Sequence, residues 1–368
     1  EYLKQPGAEG GCRGQKIDFD TESANMEEDT MKQFFQIENI EQQVKKDIWG
    51  LQRQFKRAAK RRTVPTFAAP LETYWMMFHP NYKISSGDYL GLGGVRTKVS
   101  SHEFFTCVRH LLYAIYWRQW APLRWAHAEA TQLPKTSKKT HPCAQVRLIF
   151  LFCPFGKAFF AQLMHQQFEF GGDFPLEYSD YVHGFVPKRR RESAVLCAKI
   201  VPMKMNQIYF SCMNDLHDKA NAFLSISKSE AAVAARKLVP DIAAAVADHH
   251  IQLSSFTLHC PDCSIAILGG CGILPGASLV VAVWVQTFQP VIDKYAELDR
   301  LSNQHAHVMD VQSPDGHILD VSLNVYADDT HKAHAVPAEK VHKLVGACRR
   351  SSRNLDRSLL QVEVVQNL

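Results

Sequence analysis

Two adjacent acids, Asp328 and Asp329, follow a tyrosine and an alanine at the end of an apolar segment. The segment from His317 to Tyr326 is mostly apolar and β-prone, and it follows the turn signal Ser-Pro-Asp-Gly at 313–316, so a β-strand is predicted. Neighbouring carboxylates repel each other and are costly to desolvate. A pair of them at the tip of a strand therefore predicts a divalent-metal site, with an ordinary acidic turn as the alternative.

Composition places the chain among globular proteins. Its 368 residues are 46% hydrophobic, which is enough for a sizeable core divided over two or three subdomains. The net charge is only +5, but the basic residues are clustered at 56–62, 135–139 and 188–191. Such clusters suit a polyanionic partner, although a solvated surface explains each one taken alone.

Two further features bear on location. The sequence opens with polar and acidic residues rather than a secretory signal, and its ten cysteines form no regular framework. These features predict reduced thiols in an intracellular protein, nuclear or cytoplasmic. The uncharged stretch 264–285 is long enough to cross a bilayer, but glycines and Pro275 break its first half. We therefore predict a strand, a turn and a buried helix from Ala277 rather than a membrane segment.

Hydrophobic periodicity predicts several helices. Apolar residues recur every three or four positions from Thr30 to Arg62, as in an amphipathic helix, after a polar stretch at 1–28 that is predicted to be disordered. Ser100 and Glu103 form a capping box that would start another helix. Further helices are predicted at Lys228–His250 with an interruption near Pro240, at Ala277–Leu298 and at Ala338–Leu360.

Several upstream segments carry residue types suited to nucleotide chemistry. Arg147 precedes a short apolar strand and Lys157 comes ten positions later, and two such cations projecting from strands can grip a triphosphate. Asp218 is followed by Ala222 and Phe223. Gly276 ends a glycine-rich turn, where glycine lets the backbone approach a ligand. Each also has a plain structural explanation, as surface cations, a turn residue, a core aromatic or a strand-to-helix turn.

In this order, these segments and the Tyr-Ala-Asp-Asp tetrapeptide at 326–329 resemble the reverse transcriptase of non-LTR (LINE-like) retrotransposons, from about Pro122 to the C-terminus. The resemblance implies an α+β, right-hand polymerase-like fold. Residues 65–200 would form the fingers, and residues 201–368 the palm, an antiparallel sheet flanked by helices with a helical insertion at about 228–258. Residues 1–64 would be a disordered N-terminus and a basic linker helix, and the thumb would be absent.

The same resemblance implies roles for individual residues. Asp218, Asp328 and Asp329 would hold Mg²⁺ or Mn²⁺ for nucleotidyl transfer, making the protein an RNA-directed DNA polymerase that acts on an RNA template, a DNA primer and dNTPs. The incoming nucleotide would contact Arg147, Lys157, Phe223 and Gly276. Phe223 would sit under its sugar and exclude a 2′-hydroxyl. The template and primer would contact Lys135, Lys188, Arg189 and Arg190.

The sequence departs from the family pattern in three places. Lys188 stands where a glycine is usual, and Pro275 stands where a glutamine is common. The sequence also ends before the lysine that would protonate the departing pyrophosphate. These departures keep an alternative open, in which the chain is an inactive remnant that only binds nucleic acid.

A third hypothesis is a zinc-binding interaction module. Cys260 and Cys263 form a Cys-x-x-C pair, and a zinc ion would need two further ligands, such as Cys271 and His249. A single pair of this kind is also typical of a hairpin turn, which is the preferred interpretation.

Overall fold

A computed structural model describes the chain at 26–57, 63–69, 71–78, 101–134, 146–170, 178–186, 189–218, 222–259, 263–269, 272–303, 309–312, 316 and 318–361. It divides into two units, Glu1–Gln43 and Val44–Leu368. The described part of the first unit is helical.

The described elements comprise helices and strands, and the strands pair mostly antiparallel, which confirms the predicted α+β class. The helices are α1 (Met26–Arg57), α2 (Leu71–Phe78), α3 (Ser101–Arg118), α4 (Leu123–Ala126), α5 (Pro154–Phe170), α6 (Arg191–Gln207), α7 (Lys228–Lys237), α8 (Ala244–Gln252), α9 (Val280–Ser302) and α10 (Leu344–Gln361). The strands are β1 (His127–Pro134), β2 (Val146–Phe152), β3 (Phe210–Asp218), β4 (Ser255–His259), β5 (Ser264–Leu268), β6 (Asp310–Gln312), β7 (Ile318–Asp320), β8 (Leu323–Tyr326) and β9 (Asp329–Pro337).

One sheet has the strand order β2-β1-β4-β5. The β1–β2 and β4–β5 pairs are antiparallel, while β1 and β4 run parallel, so the sheet is mixed. Its buried core is formed by small and aromatic side chains from β1, β2 and the turn before α9, namely Ala128, Ala130, Phe150, Phe152 and Leu274. This sheet therefore packs directly against the glycine-rich turn.

The second sheet has the order β3-β9-β8 and is antiparallel throughout. Side chains alternate between the faces of a strand. On one face Ala333 and Ala335 of β9 cluster with Val201 of α6. On the other face Asp215 of β3 accepts a hydrogen bond from Ser352 of α10 at 3.2 Å. The sheet thus has α6 on one face and α10 on the other.

The strand predicted at 317–326 is wrong in one respect, because the chain makes two strands there. β7 pairs with β6, and β8 pairs with β9. Between them the Asp320 carboxylate accepts a hydrogen bond from the backbone N–H of Ser322 at 2.9 Å, which is an Asx turn. A short polar side chain that bonds its own backbone ends a strand that hydrophobicity alone would continue.

The helix predictions are largely confirmed. The alanine-rich segment forms α7 and α8 with a break at Pro240, and α9 runs through Pro290. The helix after the predicted capping box begins at Ser101, while the capping residue Ser100 lies outside the described residues. Within the described ranges, none of the helices combines the length and the apolar character that a bilayer crossing requires.

Candidate metal and nucleotide site

Three acids from distant parts of the sequence meet at one end of the β3-β9-β8 sheet. Asp218 is the last residue of β3 and lies directly opposite Asp329, the first residue of β9. Asp329 also pairs with Tyr326 of β8, so Asp328 occupies the two-residue turn of a hairpin. Residues directly opposite in an antiparallel pair have Cβ atoms about 4.5–5.5 Å apart. The backbone therefore places Asp218 beside the acid pair.

The surroundings of these acids change the pKa of one of them. Burial, followed by the neighbouring charges of Asp328 and Asp218, raises the pKa of Asp329 above its usual value. Within the described part of the chain, none of the three carboxylates forms a hydrogen bond or an ion pair. Their ligand atoms do not all lie within 4.8 Å of one another, so an ion would have to draw the side chains together.

The turn that carries Asp328 is held in an uncommon conformation. Ala327 has a φ of 60°, which is rare for a residue other than glycine and usually persists where surrounding contacts impose it. Here the Trp284 indole donates a hydrogen bond to the Ala327 carbonyl at 2.9 Å. The Trp284 ring also packs against Phe223, with the ring centroids 5.7 Å apart. Trp284 therefore links the predicted sugar-contacting residue to the acidic turn.

A loop at 178–186 clamps the other side of the hairpin. The backbone N–H of Val325 donates to the Tyr181 carbonyl at 2.9 Å, and His183 donates back to the Val325 carbonyl at 2.8 Å. Gly184 fits because it lacks a side chain: a Cβ there would lie 2.2 Å from the backbone nitrogen of Ala327. Glycine is required by this close approach, a reason that the sequence pattern alone does not give.

The basic segment after this loop has mixed roles. The Arg189 guanidinium donates to the carbonyls of Ser179 and Val182, the latter at 2.6 Å, and pairs with Asp180 at 3.4 Å. It therefore braces the loop from within. Arg190 is exposed and immediately precedes α6. Lys188 and Lys135 lie outside the described residues.

The glycine-rich turn needs its glycines for two separate reasons. Gly276 has a φ of +110°, and a Cβ there would lie 2.7 Å from the Phe150 carbonyl oxygen. Gly272 has a φ of +82° and packs on the backbone of Leu224. The next residue, Ile273, donates its N–H to the Phe223 carbonyl at 2.8 Å. The turn is thus fixed against both the mixed sheet and the segment after Asp218.

The two predicted phosphate-gripping cations sit on different kinds of element. Arg147 is exposed on β2, as expected. Lys157 was expected on a strand, which is wrong: it lies in the first turn of α5, because Pro154 starts a helix there. Its carbonyl accepts a hydrogen bond from Ser278 at 2.7 Å, and it lines a cavity of about 280 Å³ with Ser278, Thr63 and Phe150. Lys157 is therefore next to the glycine turn.

The predicted Cys-x-x-C pair is only partly described. Cys260 and Cys271 lie outside the described residues, and Cys263 is an exposed free thiol. The His249 ring, suggested as a fourth ligand, donates a hydrogen bond from Nδ1 to the Gln119 backbone carbonyl at 2.9 Å and packs on Trp120. His249 is thus part of a helix-packing contact.

Sequence reasoning missed two features of the site. Trp284 falls within the buried helix predicted from Ala277, and the only sequence signal for its role is that a buried indole N–H needs an acceptor. The second is a set of metal-ligating residues, Asp215, His334 and Cys348, on the opposite face of the sheet. Asp215 lies three residues before Asp218 on β3, so its side chain points away from Asp328 and Asp329.

Neither the family models of known proteins nor the characterised protein sequences contain a match to this chain.

Proposed function

We propose that the protein is a reverse-transcriptase palm and fingers that transfers nucleotides to a primer 3′-hydroxyl. One observation carries the proposal: Asp218 ends β3 opposite Asp329, with Asp328 in the adjoining hairpin turn. Sequence separation gives no reason for these acids to meet. The right-hand polymerase architecture is part of the proposal.

The proposed cofactor is Mg²⁺ or Mn²⁺, held by Asp218 and Asp328 with help from Asp329. Carboxylate oxygens are the ligands that these hard cations prefer. Burial, followed by the charges of Asp328 and Asp218, raises the pKa of Asp329, so a cation at this cluster would relieve the repulsion among the acids. When bound, such ions lower the pKa of the attacking hydroxyl and neutralise the triphosphate.

The surrounding residues would position the nucleotide. Phe223 would lie under the sugar, where its ring excludes a 2′-hydroxyl by its bulk. Gly276 lies in the turn beside Lys157, and its lack of a side chain lets this turn pack on Phe150 of the mixed sheet. Arg147 would reach the phosphates from β2. Holding reactants in place is a large part of catalysis in nucleotidyl transfer, because little covalent chemistry falls to the protein.

The proposed partners are an RNA template, a DNA primer and dNTPs. The loop at 178–186 contacts the acidic hairpin, and the basic run 188–191 follows that loop in the sequence. Cations placed this way would hold phosphate backbones in register with the metal site.

Primer extension tests the proposal. An oligo(dT) primer on poly(rA), with dTTP and Mg²⁺, should be extended by the protein and not by Asp328→Asn, whose side chain has nearly the same shape without the charge. Asp356→Asn removes an exposed acid from α10 and serves as the matched control. Extension that is unchanged in Asp328→Asn would mean that the activity belongs to another site or another protein.

A second candidate keeps the fold and omits the chemistry. Two observations favour a nucleic-acid-binding remnant: Pro275 replaces the usual glutamine beside Gly276, and the three acids are not drawn together. This protein would bind an RNA–DNA hybrid, as measured by fluorescence anisotropy, but would not extend a primer. The two candidates therefore predict the same binding of the RNA–DNA hybrid but opposite results in primer extension.

A further inference from the structure

Three metal-ligating side chains from three different elements meet on the face of the sheet covered by α10. They are Asp215 of β3, His334 of β9 and Cys348 of α10, and one ligand atom of each lies within 4.8 Å of the other two. Across the described residues, this is the one set of three such side chains to meet that distance. The elements themselves are far apart in sequence, so the fold creates the cluster.

The histidine of this cluster lacks a partner. His334 is 6% exposed, and its Nε2 is enclosed without a hydrogen bond. A buried polar atom left unsatisfied in this way is destabilising, and such atoms often mark a missing ion or water. The enclosed Nε2 of the neighbouring His217 also lacks a hydrogen bond, and it lies 3.2 Å from the Asp215 carboxylate.

Charge on this face favours a cation. Lys332 is buried between two acids, Asp299 at 3.4 Å and Asp320 in direct contact. One lysine therefore faces two carboxylates, and Asp215 adds a third nearby. A buried excess of negative charge is costly unless a cation offsets it.

We propose that Asp215, His334 and Cys348 bind one Zn²⁺ ion, which fastens α10 to the sheet. Sulfur, imidazole nitrogen and carboxylate oxygen together form a donor set typical of zinc. Zinc–ligand bonds of about 2.0–2.3 Å place two ligand atoms of a tetrahedral ion about 3.3–3.8 Å apart. Side-chain separations below 4.8 Å thus need only small rotations, and His217 or a water molecule completes the fourth position.

A zinc site explains the cluster better than nucleophilic catalysis does, although a cysteine, a histidine and an aspartate are also the parts of a catalytic triad. Cys348 is only 9% exposed, because α10 packs this part of its surface against the sheet. A substrate has no access to the thiol in that position. The zinc site does not rest on the proposed polymerase function, since Asp215 lies on the opposite face from Asp218.

Cobalt absorption tests the proposal with the full chain. The metal-free protein should bind one equivalent of Co²⁺ with a near-ultraviolet thiolate band and the visible bands of a tetrahedral ion, and Zn²⁺ should displace it. Cys348→Ser should lose the thiolate band. His334→Gln should weaken binding more than about tenfold, since even the outer partners of metal ligands are worth that much.

Two cysteine variants serve as controls. Cys212→Ser changes a half-buried thiol of β3 on the α6 side of the sheet, and Cys263→Ser changes the exposed Cys-x-x-C thiol. Both should keep the cobalt bands. Absence of the bands in the folded wild-type protein, their persistence in Cys348→Ser, or their loss in Cys263→Ser would overturn the proposal.

Thermal melting distinguishes a variant that has lost the zinc site from a variant that has failed to fold. A ligand that binds only the folded state raises the melting temperature. Zn²⁺ should therefore raise the melting temperature of the wild-type protein and of Cys212→Ser more than that of folded Cys348→Ser. An equal rise in Cys348→Ser would contradict the proposed site.

Discussion

Acidic side chains at the end of the β3-β9-β8 sheet and those packed against its covered face have opposite electrostatic surroundings. At its open end, Asp218 and Asp329 are exposed and have no cation beside them among the described residues. On its covered face, Asp299 and Asp320 are buried and share the ammonium group of Lys332. An acid neutralised by a lysine is part of the framework, whereas an acid kept with other acids is available to a metal ion. The same residue type thus has two functions, set by its surroundings.

The largest expected effect is a difference in primer-extension activity between variants on the two faces of the β3-β9-β8 sheet. Asp218→Asn should lower primer extension by more than about 1,000-fold, because it removes a ligand of the reacting metal ions. Asp215→Asn, three positions earlier on β3, should retain measurable extension, because its side chain points to the α10 face. Rates are compared per folded protein, with folding checked by circular dichroism. The reverse ranking would assign the catalytic acid to Asp215.

The next effect concerns the covered face. Lys332→Met should lower the free energy of unfolding by about 3–5 kcal/mol, because it leaves two buried carboxylates without a counterion. Urea unfolding measures this change. Lys340→Met alters an exposed lysine and should have little effect. If both variants lost the same stability, the buried ion cluster would not be part of the framework.

A smaller effect is expected where the loop at 178–186 touches the acidic hairpin. Gly184→Ala should destabilise the protein by about 1–3 kcal/mol and slow primer extension, because its Cβ would push the backbone of Ala327, next to Asp328. Gly346→Ala in α10 is the matched control. Its Cβ would have only the end of Arg350 as a neighbour, at 3.5 Å, so it should be neutral or stabilising by up to about 1 kcal/mol.

The smallest effect comes from the repulsion among the acids. A carboxyl group whose pKa is raised by folding weakens the fold wherever it is ionised. Asp329→Asn should therefore raise the melting temperature in a metal-free buffer at pH 7, and this gain should shrink as the pH falls toward the ordinary carboxyl pKa of about 3.9. Millimolar Mg²⁺ should stabilise the wild-type protein more than the variant. A variant that is less stable than the wild type without metal would contradict the repulsion.

The sequence indicated which acids would belong to one site more clearly than it indicated the elements and contacts that hold them in place. The resemblance implied that Asp218 and the hairpin acids share one site, and the structure pairs Asp218 with Asp329 at the same end of the sheet. The break at Ser322 was missed, since a turn made by a single aspartate hardly alters hydrophobic periodicity. The helical position of Lys157 was missed because a proline after a strand was not taken as a helix start.

Other features depend on contacts between distant segments and leave no local pattern. A tryptophan in an apolar helix looks like core, and only the fold shows that the Trp284 indole reaches the Ala327 carbonyl. Likewise, nothing near Lys332 in the sequence indicates that it is buried against Asp299 and Asp320. Cys348 and His334 belong to segments whose sequence suggests only a helix and a strand, so their meeting was not foreseen.

Binding of Mn²⁺, followed by electron paramagnetic resonance, tests most directly whether the three acids share a metal ion. Titrations compare the wild-type protein with Asp218→Asn and with Asp356→Asn, which removes an exposed acid on α10. The shared site predicts tight binding in the wild type and in Asp356→Asn, and binding at least about tenfold weaker in Asp218→Asn, since a carboxylate ligand of a hard cation is lost. Equal affinity in Asp218→Asn and the wild type would show that Asp218 does not serve the same ion as the hairpin acids.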